Sequence, residues 1–251
     1  MAKLIILGTA PALPEPFREY TYMVLQGGES AVLIDCASSP VQRLAQVGVN
    51  FQAVDHLIIT HHHPDHMYGV PVFLLDLWLA GRQRPLHIYG PPGTARVIPL
   101  MMSLYQWHDW PGFYPIEFHE VEMTIGSLVL DSADFCITAA PAEHLVPTLA
   151  LRMLCKETGG VVAYSSDTEP CEAVIRLAQG ADLLIHESTG ALAGHSSSAA
   201  AGAVARFAGV KKLVLVHYPI QGGNVDRIWE EAELEFGGPV ELACDFATYE
   251  F

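Results

Sequence analysis

The sequence has 251 residues, which is the size of one large domain or of two closely packed halves. About half of the residues (51%) are apolar, which allows a sizeable core and excludes a wholly disordered chain. The 28 acidic residues outnumber the 13 basic residues, and the net charge of −15 argues against nonspecific binding to a nucleic-acid backbone. No linker, repeat or low-complexity tract divides the sequence, so we expect residues 1–251 to form a single domain.

The cysteines and the apolar segments bear on where the protein is found. The five cysteines are scattered and include no CxxC pair, which is typical of reduced thiols. The apolar run at residues 4–7 is too short for the core of a signal peptide. The longest apolar segment, residues 70–80, contains Asp76 and is well below the roughly 18 residues of a membrane span. These features predict a soluble cytoplasmic protein without membrane contact.

Short apolar runs that alternate with helix-like stretches predict a mixed α/β protein. In the first half we expect strands at 4–7, 23–25, 31–34, 57–59 and 86–89, and helices at 41–47, 64–80 and 94–104. An antiparallel meander is expected at 121–125, 128–130 and 135–139, followed by strands at 148–154 and 161–164. The last part predicts helices at 170–178, 196–208 and 225–236 around strands at 182–185 and 213–216. This element order favours two facing sheets with helices outside both.

The segment THHHPDH at residues 60–66 is the most informative in the chain. The pattern HxHxDH arises by chance in roughly one sequence in a thousand of this length and composition. His61 and His63 leave the end of a predicted strand, where alternate residues point the same way. The proline then starts a helix whose first turn carries Asp65 and His66. Four donors thus converge, and imidazole with carboxylate suits zinc, with manganese or iron as alternatives.

Three further residues are candidate ligands because of their position after apolar strands. Asp167 and His217 each come just past the end of such a strand, where ligand sites of α/β sheets gather. His144 follows the predicted meander by a few residues. Each of them alone would more often be an ordinary polar residue near a strand end. Together with the HxHxDH segment they become candidate metal ligands, with Asp167 as a bridge between two metals.

Further motifs complete a pattern that runs nearly end to end. They are LGT at 7–9 with Pro14 and Arg18, LIDC at 33–36, Gly69 after the THHHPDH segment, YSSDT at 164–168, HEST at 186–189, HSS at 195–197 and LVHY at 215–218. With these motifs the chain resembles the metallo-β-lactamase superfamily, and within it the branch of ribonuclease Z. The resemblance implies an αββα four-layer sandwich with the site at one edge. It also implies a homodimer.

The resemblance further implies two divalent metal ions, with zinc as the expected element. His61, His63 and His144 would hold one ion, Asp65, His66 and His217 would hold the other, and Asp167 would bridge both. His195 would lie beside the metals and handle the proton of the leaving group. Its alternative role is that of a cap or loop residue before the helix that starts near 196–198. Glu187 would either orient His195 or serve as a buried acceptor.

Two adjacent divalent ions produce hydroxide at neutral pH and neutralise charge on the attacked centre, which suits a phosphodiester. We therefore expect a metal-dependent hydrolase of a small phosphodiester, such as a cyclic nucleotide, in which Asp65 orients the bridging hydroxide. Hydrolysis of a sulfate ester, lactone or thioester at the same site is an alternative. A non-hydrolytic redox or binding role is a further one, although redox relatives tend to have glutamate where this chain has His63.

The spacing of two ligand candidates argues against tRNA as the substrate. Ribonuclease Z enzymes usually grip tRNA with a long flexible arm between the ligands that correspond to His144 and Asp167. Here only residues 145–166 separate the two, and they are filled by two predicted strands and a turn. Together with the negative net charge, this spacing favours a small ester over tRNA as the partner of the site.

The segment 101–115 is unusually aromatic, and its role is open at the level of sequence. Its aromatic side chains are suited to line a pocket for a nucleobase or another aromatic substrate. They are equally suited to cover a subunit interface. The third interpretation is ordinary core packing under a long loop.

Overall fold

A computed structural model describes residues 2–13, 15–28, 30–220 and 225–251 of the chain; Pro14 of the sequence motifs lies outside these ranges. The strands are β1 (Lys3–Gly8), β2 (Tyr22–Gln26), β3 (Ala31–Ile34), β4 (Val54–Ile58), β5 (Leu86–Gly90), β6 (Ile116–Glu120), β7 (Ser127–Asp131), β8 (Phe135–Ala142), β9 (Thr148–Cys155), β10 (Val161–Tyr164), β11 (Leu183–Glu187), β12 (Leu213–Val216), β13 (Val240–Leu242) and β14 (Thr248–Glu250). The helices are α1 (Pro40–Gln46), α2 (Pro64–Met67), α3 (Val70–Leu79), α4 (Thr94–Ser103), α5 (Glu172–Ala178), α6 (Ser198–Ala208) and α7 (Val225–Phe236).

The strands form two mixed sheets of seven strands each. The first has the order β14-β1-β2-β3-β4-β5-β6, with parallel pairing from β3 to β6 and antiparallel pairing elsewhere. The second has the order β13-β12-β11-β10-β9-β8-β7, antiparallel from β7 to β10 and parallel from β10 to β13. Two strands of the predicted antiparallel meander, 128–130 and 135–139, are present here as β7 and β8, and the predicted strand at 148–154 extends the antiparallel pairing as β9.

The two sheets pack face to face, and the helices cover their outer faces. In β1, Leu4 and Ile6 belong to the core between the sheets, whereas Ile5 and Leu7 pack with the residues of α1, α3 and α4. Successive side chains of a strand point to opposite faces, so a strand that is buried on both faces is a continuous apolar run. The helices α5, α6 and α7 cover the second sheet in the same way. The predicted αββα four-layer sandwich is confirmed.

The prediction of one continuous helix over 64–80 is wrong, because two helices, α2 and α3, occupy this stretch. Gly69 lies between them, and its N–H donates to the carbonyl of Cys36 at 2.8 Å. A Cβ at Gly69 would lie 2.8 Å from the same oxygen, so the chain passes very close to the end of β3. Pro71 then sits in the first turn of α3, where its missing N–H costs nothing.

The predicted strand at 121–125 is also wrong. The strand of this region is β6, which pairs with β5 from Leu86–Ile116 to Gly90–Glu120. The ladder ends where β5 ends, and the chain turns over the following residues towards β7. The sequence of β6, IEFHE, alternates apolar and polar residues, as expected for an edge strand with one exposed side. The strands β13 and β14 were not predicted either.

The aromatic segment 101–115 mostly packs as core, which is the third of its three interpretations. Tyr114 is buried, and Trp107, Trp110 and Phe113 pack against the core between the first sheet and its helices. Trp110 also stacks on Trp78 of α3, with ring centroids 5.0 Å apart.

Among the described residues, no helix is both long enough and apolar enough to cross a membrane.

Candidate metal centre

Loops from both sheets meet at one edge of the sandwich and bring the predicted site residues together. The segment 60–66 follows β4 of the first sheet, and the other loops follow β8, β10 and β12 of the second sheet. Ser166 and His217 adopt left-handed φ values of 53° and 54°. Residues other than glycine rarely adopt such values, so the chain turns sharply directly after β10 and β12.

The donor atoms form two sets of four that share one carboxylate. The first set is His61, His63, His144 and Asp167, and the second is Asp65, His66, Asp167 and His217. Within each set the donor atoms all lie within 4.8 Å of one another. All seven candidate ligands are therefore in one place, in the two groups that the resemblance implies.

The shared carboxylate of Asp167 lies between four imidazole rings. Its Oδ2 is 3.5 Å from Nε2 of His66, 3.7 Å from His217, 3.8 Å from His61 and 4.0 Å from His144. These distances are too long for hydrogen bonds. Two atoms that bind the same tetrahedral zinc ion at about 2.1 Å are about 3.4 Å apart. The observed distances are close to this value, as expected if Asp167 shares one ion with the histidines of each set.

The burial of the donor atoms is a second indication that a cation fits here. Nε2 of His61, Nε2 of His66 and Oδ1 of Asp167 are buried and find no hydrogen-bond partner among the described residues. Buried polar atoms are nearly always partnered in folded proteins. Three such atoms at one point, each in a candidate ligand, fit a site that is completed by metal.

Asp35 at the end of β3 orients two of the histidines. Its buried carboxylate accepts a hydrogen bond of 2.8 Å from Nδ1 of His66 and another of 2.9 Å from the hydroxyl of Thr60. The Thr60 oxygen lies 3.1 Å from Nδ1 of His61 and accepts from it. Burial raises the pKa of Asp35, and the charge and hydrogen bond of His66 partly offset this rise. The ring nitrogens left for a metal are thus Nε2 of both histidines.

Two other histidines are oriented by loops of the second sheet. Nδ1 of His144 donates to the carbonyl oxygen of Gly194 at 2.6 Å. Nδ1 of His217 lies 2.7 Å from the hydroxyl of Thr189, which itself lies 2.8 Å from a carboxylate oxygen of Glu187. The hydroxyl donates to the carboxylate and accepts from the ring, and Nε2 of His217 stays available for a metal.

His195 lies beside the candidate ligands, as the resemblance implies. Its ring centroid is 5.0 Å from that of His144 and 5.9 Å from that of His217. Its Nδ1 donates to Glu187 at 3.2 Å. Burial alone would lower the pKa of His195, but the hydrogen bond with Glu187 and the nearby carboxylates outweigh burial and raise this pKa. His195 also precedes the N-cap of α6, Ser197, so the loop position and the place beside the site coincide.

Glu187 holds the loop of His195 in place. Its buried carboxylate accepts hydrogen bonds from the backbone N–H of Ser196 at 2.7 Å and of Thr189 at 2.8 Å. Glu187, His195 and His217 also form a group whose spacing would suit a metal. Because hydrogen bonds already engage both oxygens of Glu187, we assign it to orienting His195 and the loop.

The sequence matches the family described as beta-lactamase superfamily domain over residues 30–218. The chain belongs to the metallo-β-lactamase superfamily. Within the superfamily it falls in the ribonuclease Z-like branch. It is 32% identical to a protein named ribonuclease Z from Methanothermobacter thermautotrophicus, with 100% of this chain and 97% of the relative aligned. It is also 32% identical to a ribonuclease Z from Mycobacterium bovis, with 100% and 98% aligned.

Solved structures of the superfamily have the same fold. Human tRNase Z, short form, superposes with a TM-score of 0.80 at 25% identity, covering 99% of this chain and 98% of that one. The metallo-beta-lactamase fold protein YhfI from Bacillus subtilis superposes with a TM-score of 0.83 at 24% identity, covering 100% and 99%. These superpositions span almost the whole of both chains.

The chain lacks segments that the ribonuclease Z from Methanothermobacter thermautotrophicus contains. Its alignment with the archaeal ribonuclease Z extends over 309 positions, although the chain has 251 residues, so the relative contains additional segments. Between His144 and Asp167 the structure has the antiparallel strands β9 and β10 and a tight turn between them. This stretch therefore contains no long arm.

Proposed function

We propose that the chain is a dinuclear metal-dependent phosphodiesterase. The ligands of one ion would be His61, His63 and His144, those of the other Asp65, His66 and His217, and Asp167 would be shared. The observation that carries the proposal is the carboxylate of Asp167, 3.5–4.0 Å from four imidazole nitrogens and next to buried donors without other partners. A set rich in imidazole with two carboxylates favours zinc.

When bound, divalent cations lower the pKa of water and offset the negative charge of a phosphodiester. The protein's own side chains would orient the attacking water. Oδ2 of Asp65 lies 3.5 Å from Nε2 of both His66 and His217, so its carboxylate points into the centre and is placed to orient the attacking water. Burial would raise the pKa of Asp65, but His217 and His66 outweigh burial and lower it, so Asp65 stays ionised at neutral pH.

His195 is the proposed proton donor for the leaving oxygen. Nδ1 is engaged by Glu187, which leaves Nε2 for the substrate. Its raised pKa favours a protonated imidazole near neutral pH, which is the form that an acid needs before the P–O bond breaks. The products are then an alcohol and a phosphomonoester.

The surroundings of the centre favour a small substrate. A cleft of about 460 Å³ opens beside Asp65 and is lined by Ala12, Tyr20, Pro64 and Tyr68. Its two tyrosine rings meet edge to face at 5.7 Å. This volume suits a nucleotide-sized molecule. The relatives are named for an activity on RNA; because the long segment between His144 and Asp167 is lacking here, we propose a small phosphodiester for this chain.

The test is the hydrolysis of a chromogenic phosphodiester by metal-depleted protein that is reloaded with Zn²⁺ or Mn²⁺. We expect turnover that depends on the metal and that is lost in Asp167→Asn together with bound metal. Asp182→Asn is the matched control, because Asp182 pairs with Lys211 on the surface. Two bound metals without turnover would overturn the phosphodiesterase proposal and favour a sulfate ester, lactone or thioester as the substrate.

A further inference from the structure

A second cluster of metal-ligating side chains lies in the first sheet, outside the two donor sets of the centre. His87 belongs to β5, and Glu117 and His119 belong to the neighbouring parallel strand β6. In the register of the sheet, His87 is opposite Glu117, and Tyr89 is opposite His119. Residues two apart in a strand point to the same face, so all three donors lie on the face that also carries Tyr89.

The donor atoms of this cluster are already close to one another. Nδ1 of His87 is 3.2 Å from Nε2 of His119 and 3.3 Å from a carboxylate oxygen of Glu117. The three donor atoms all lie within 4.8 Å of one another. Contacts of this length match the roughly 3.4 Å between two ligands of one tetrahedral zinc ion. A single proton on Nδ1 of His87 can serve only one of its two neighbours, whereas a cation would serve all three donors.

Neighbouring rings hold the two imidazoles in orientation. The ring of His56 on β4 stacks on His87 at 5.3 Å, and the ring of Tyr89 stacks on His119 at 4.6 Å. The Tyr89 hydroxyl lies 3.3 Å from Nδ1 of His56 and links the two pairs. Rings that are fixed in this way lose little freedom when they bind an ion.

The carboxylate of Glu117 gives the cluster a charge that suits a cation. Glu117 is exposed and adds the second ligand type that zinc commonly takes.

We propose that His87, Glu117 and His119 form an additional site for a divalent transition ion such as Zn²⁺, joining β5 to the edge strand β6. Two imidazoles and one carboxylate suit zinc, and the partial exposure of His87 and Glu117 leaves room for water as a further ligand. Because β6 has a neighbour on only one side, an ion shared with β5 stabilises the edge of the first sheet.

The test compares the zinc content of the wild-type chain with that of the double variant His87→Asn/His119→Asn after loading and gel filtration. We expect one equivalent less in the double variant, together with a smaller rise of Tm on addition of Zn²⁺. His108→Asn is the matched control, because it removes an exposed histidine outside the cluster. Turnover of the phosphodiester should be unchanged in both variants, since neither touches the centre.

Equal zinc content in the wild type and the double variant would overturn the proposal. If the double variant does not fold, Glu117→Gln decides, because the exposed carboxylate can be neutralised without disturbing the core. Weaker binding of one zinc equivalent by that variant supports the site, and unchanged content and affinity overturn it. The experiment compares the bound zinc of the wild type with that of the variants. Its outcome is therefore independent of whether the centre cleaves a phosphodiester.

Discussion

The histidines of the centre depend on neighbours that come from distant parts of the sequence. The HxHxDH pattern predicts which residues converge, because spacing along a strand and a helix start is local information. It does not predict that His66 is held by Asp35, His144 by Gly194, or His217 by Thr189. Those hydrogen bonds join separate loops. The one signal in the sequence for any of these contacts is Asp35, a charged residue directly after the apolar strand β3.

Replacement of His195 by alanine tests its role as proton donor. We expect kcat to fall by about 10²- to 10⁴-fold, which is the usual range for the loss of a general acid. Zinc content should not change, because Nδ1 of His195 is bound to Glu187 and the ring is outside both donor sets. A substrate with a good leaving group, such as p-nitrophenol, should show a smaller loss. Loss of zinc in this variant would contradict the assignment.

Replacement of Asp35 by alanine tests the orientation of His61 and His66. We expect the affinity for Zn²⁺ to fall by about 10- to 100-fold, as is typical when a partner of a ligating histidine is removed. Competition with a chromogenic chelator measures this affinity. Asp55→Asn is the control, since Asp55 on β4 pairs with Arg82 and Arg84 of the connection between α3 and β5 and belongs to neither donor set. Equal zinc affinity in Asp35→Ala and the wild type would show that the histidines do not need this carboxylate.

The elements differ in how well the sequence predicts them. Strands buried on both faces, such as β1 and β12, are continuous apolar runs and were predicted within about one residue. The edge strand β6 alternates polar and apolar residues next to an aromatic segment, and β13 and β14 have three residues each. These strands form because they pair with strands that are distant in the sequence. The local pattern of polar and apolar residues carries no information about such partners.

The break between α2 and α3 leads to a prediction at Gly69. In Gly69→Ala the new Cβ would meet the backbone of residues 36 and 37 at 2.8–2.9 Å. We expect the free energy of unfolding to fall by about 1–3 kcal/mol, because the backbone of residues 36 and 37 or of the α2–α3 connection has to move. Urea denaturation measures the change. Gly28→Ala is the control, with its nearest described contact at 3.6 Å; similar losses in both variants would contradict the close approach.

On the scale of the whole molecule, the centre takes its donors from both sheets. The segment that follows β4 provides four donors, and the loops of the second sheet provide His144, Asp167 and His217. The element order was sufficient to predict two sheets with helices outside them. It was not sufficient to predict that β14, after the helices of the second sheet, returns to pair with β1. Strands so far apart in the sequence can pair without any pattern in the local sequence that indicates it.

Because the centre joins the two sheets, removal of metal should destabilise the molecule. A ligand at 100 times its Kd stabilises the folded state by about 2.7 kcal/mol, which corresponds to roughly 5–10 °C in Tm for a protein of this size. We expect a decrease of this order when a chelator is added. The measurement is made in the His87→Asn/His119→Asn variant, so that any change of Tm comes from metal at the centre and not from the proposed second site. An unchanged Tm in that background would contradict a structural role of the metals.

The pairing of β14 with β1 also has a consequence during synthesis. Lys3 on β1 is in register with Glu250 on β14, which is synthesised after all the other described strands. Until β14 emerges, one backbone edge of β1 has no strand to pair with. The strand carries apolar side chains on both of its faces. A nascent chain of this protein therefore carries an unprotected edge at β1 until β14 has been synthesised. Binding by a chaperone at its first strand would protect it over that period.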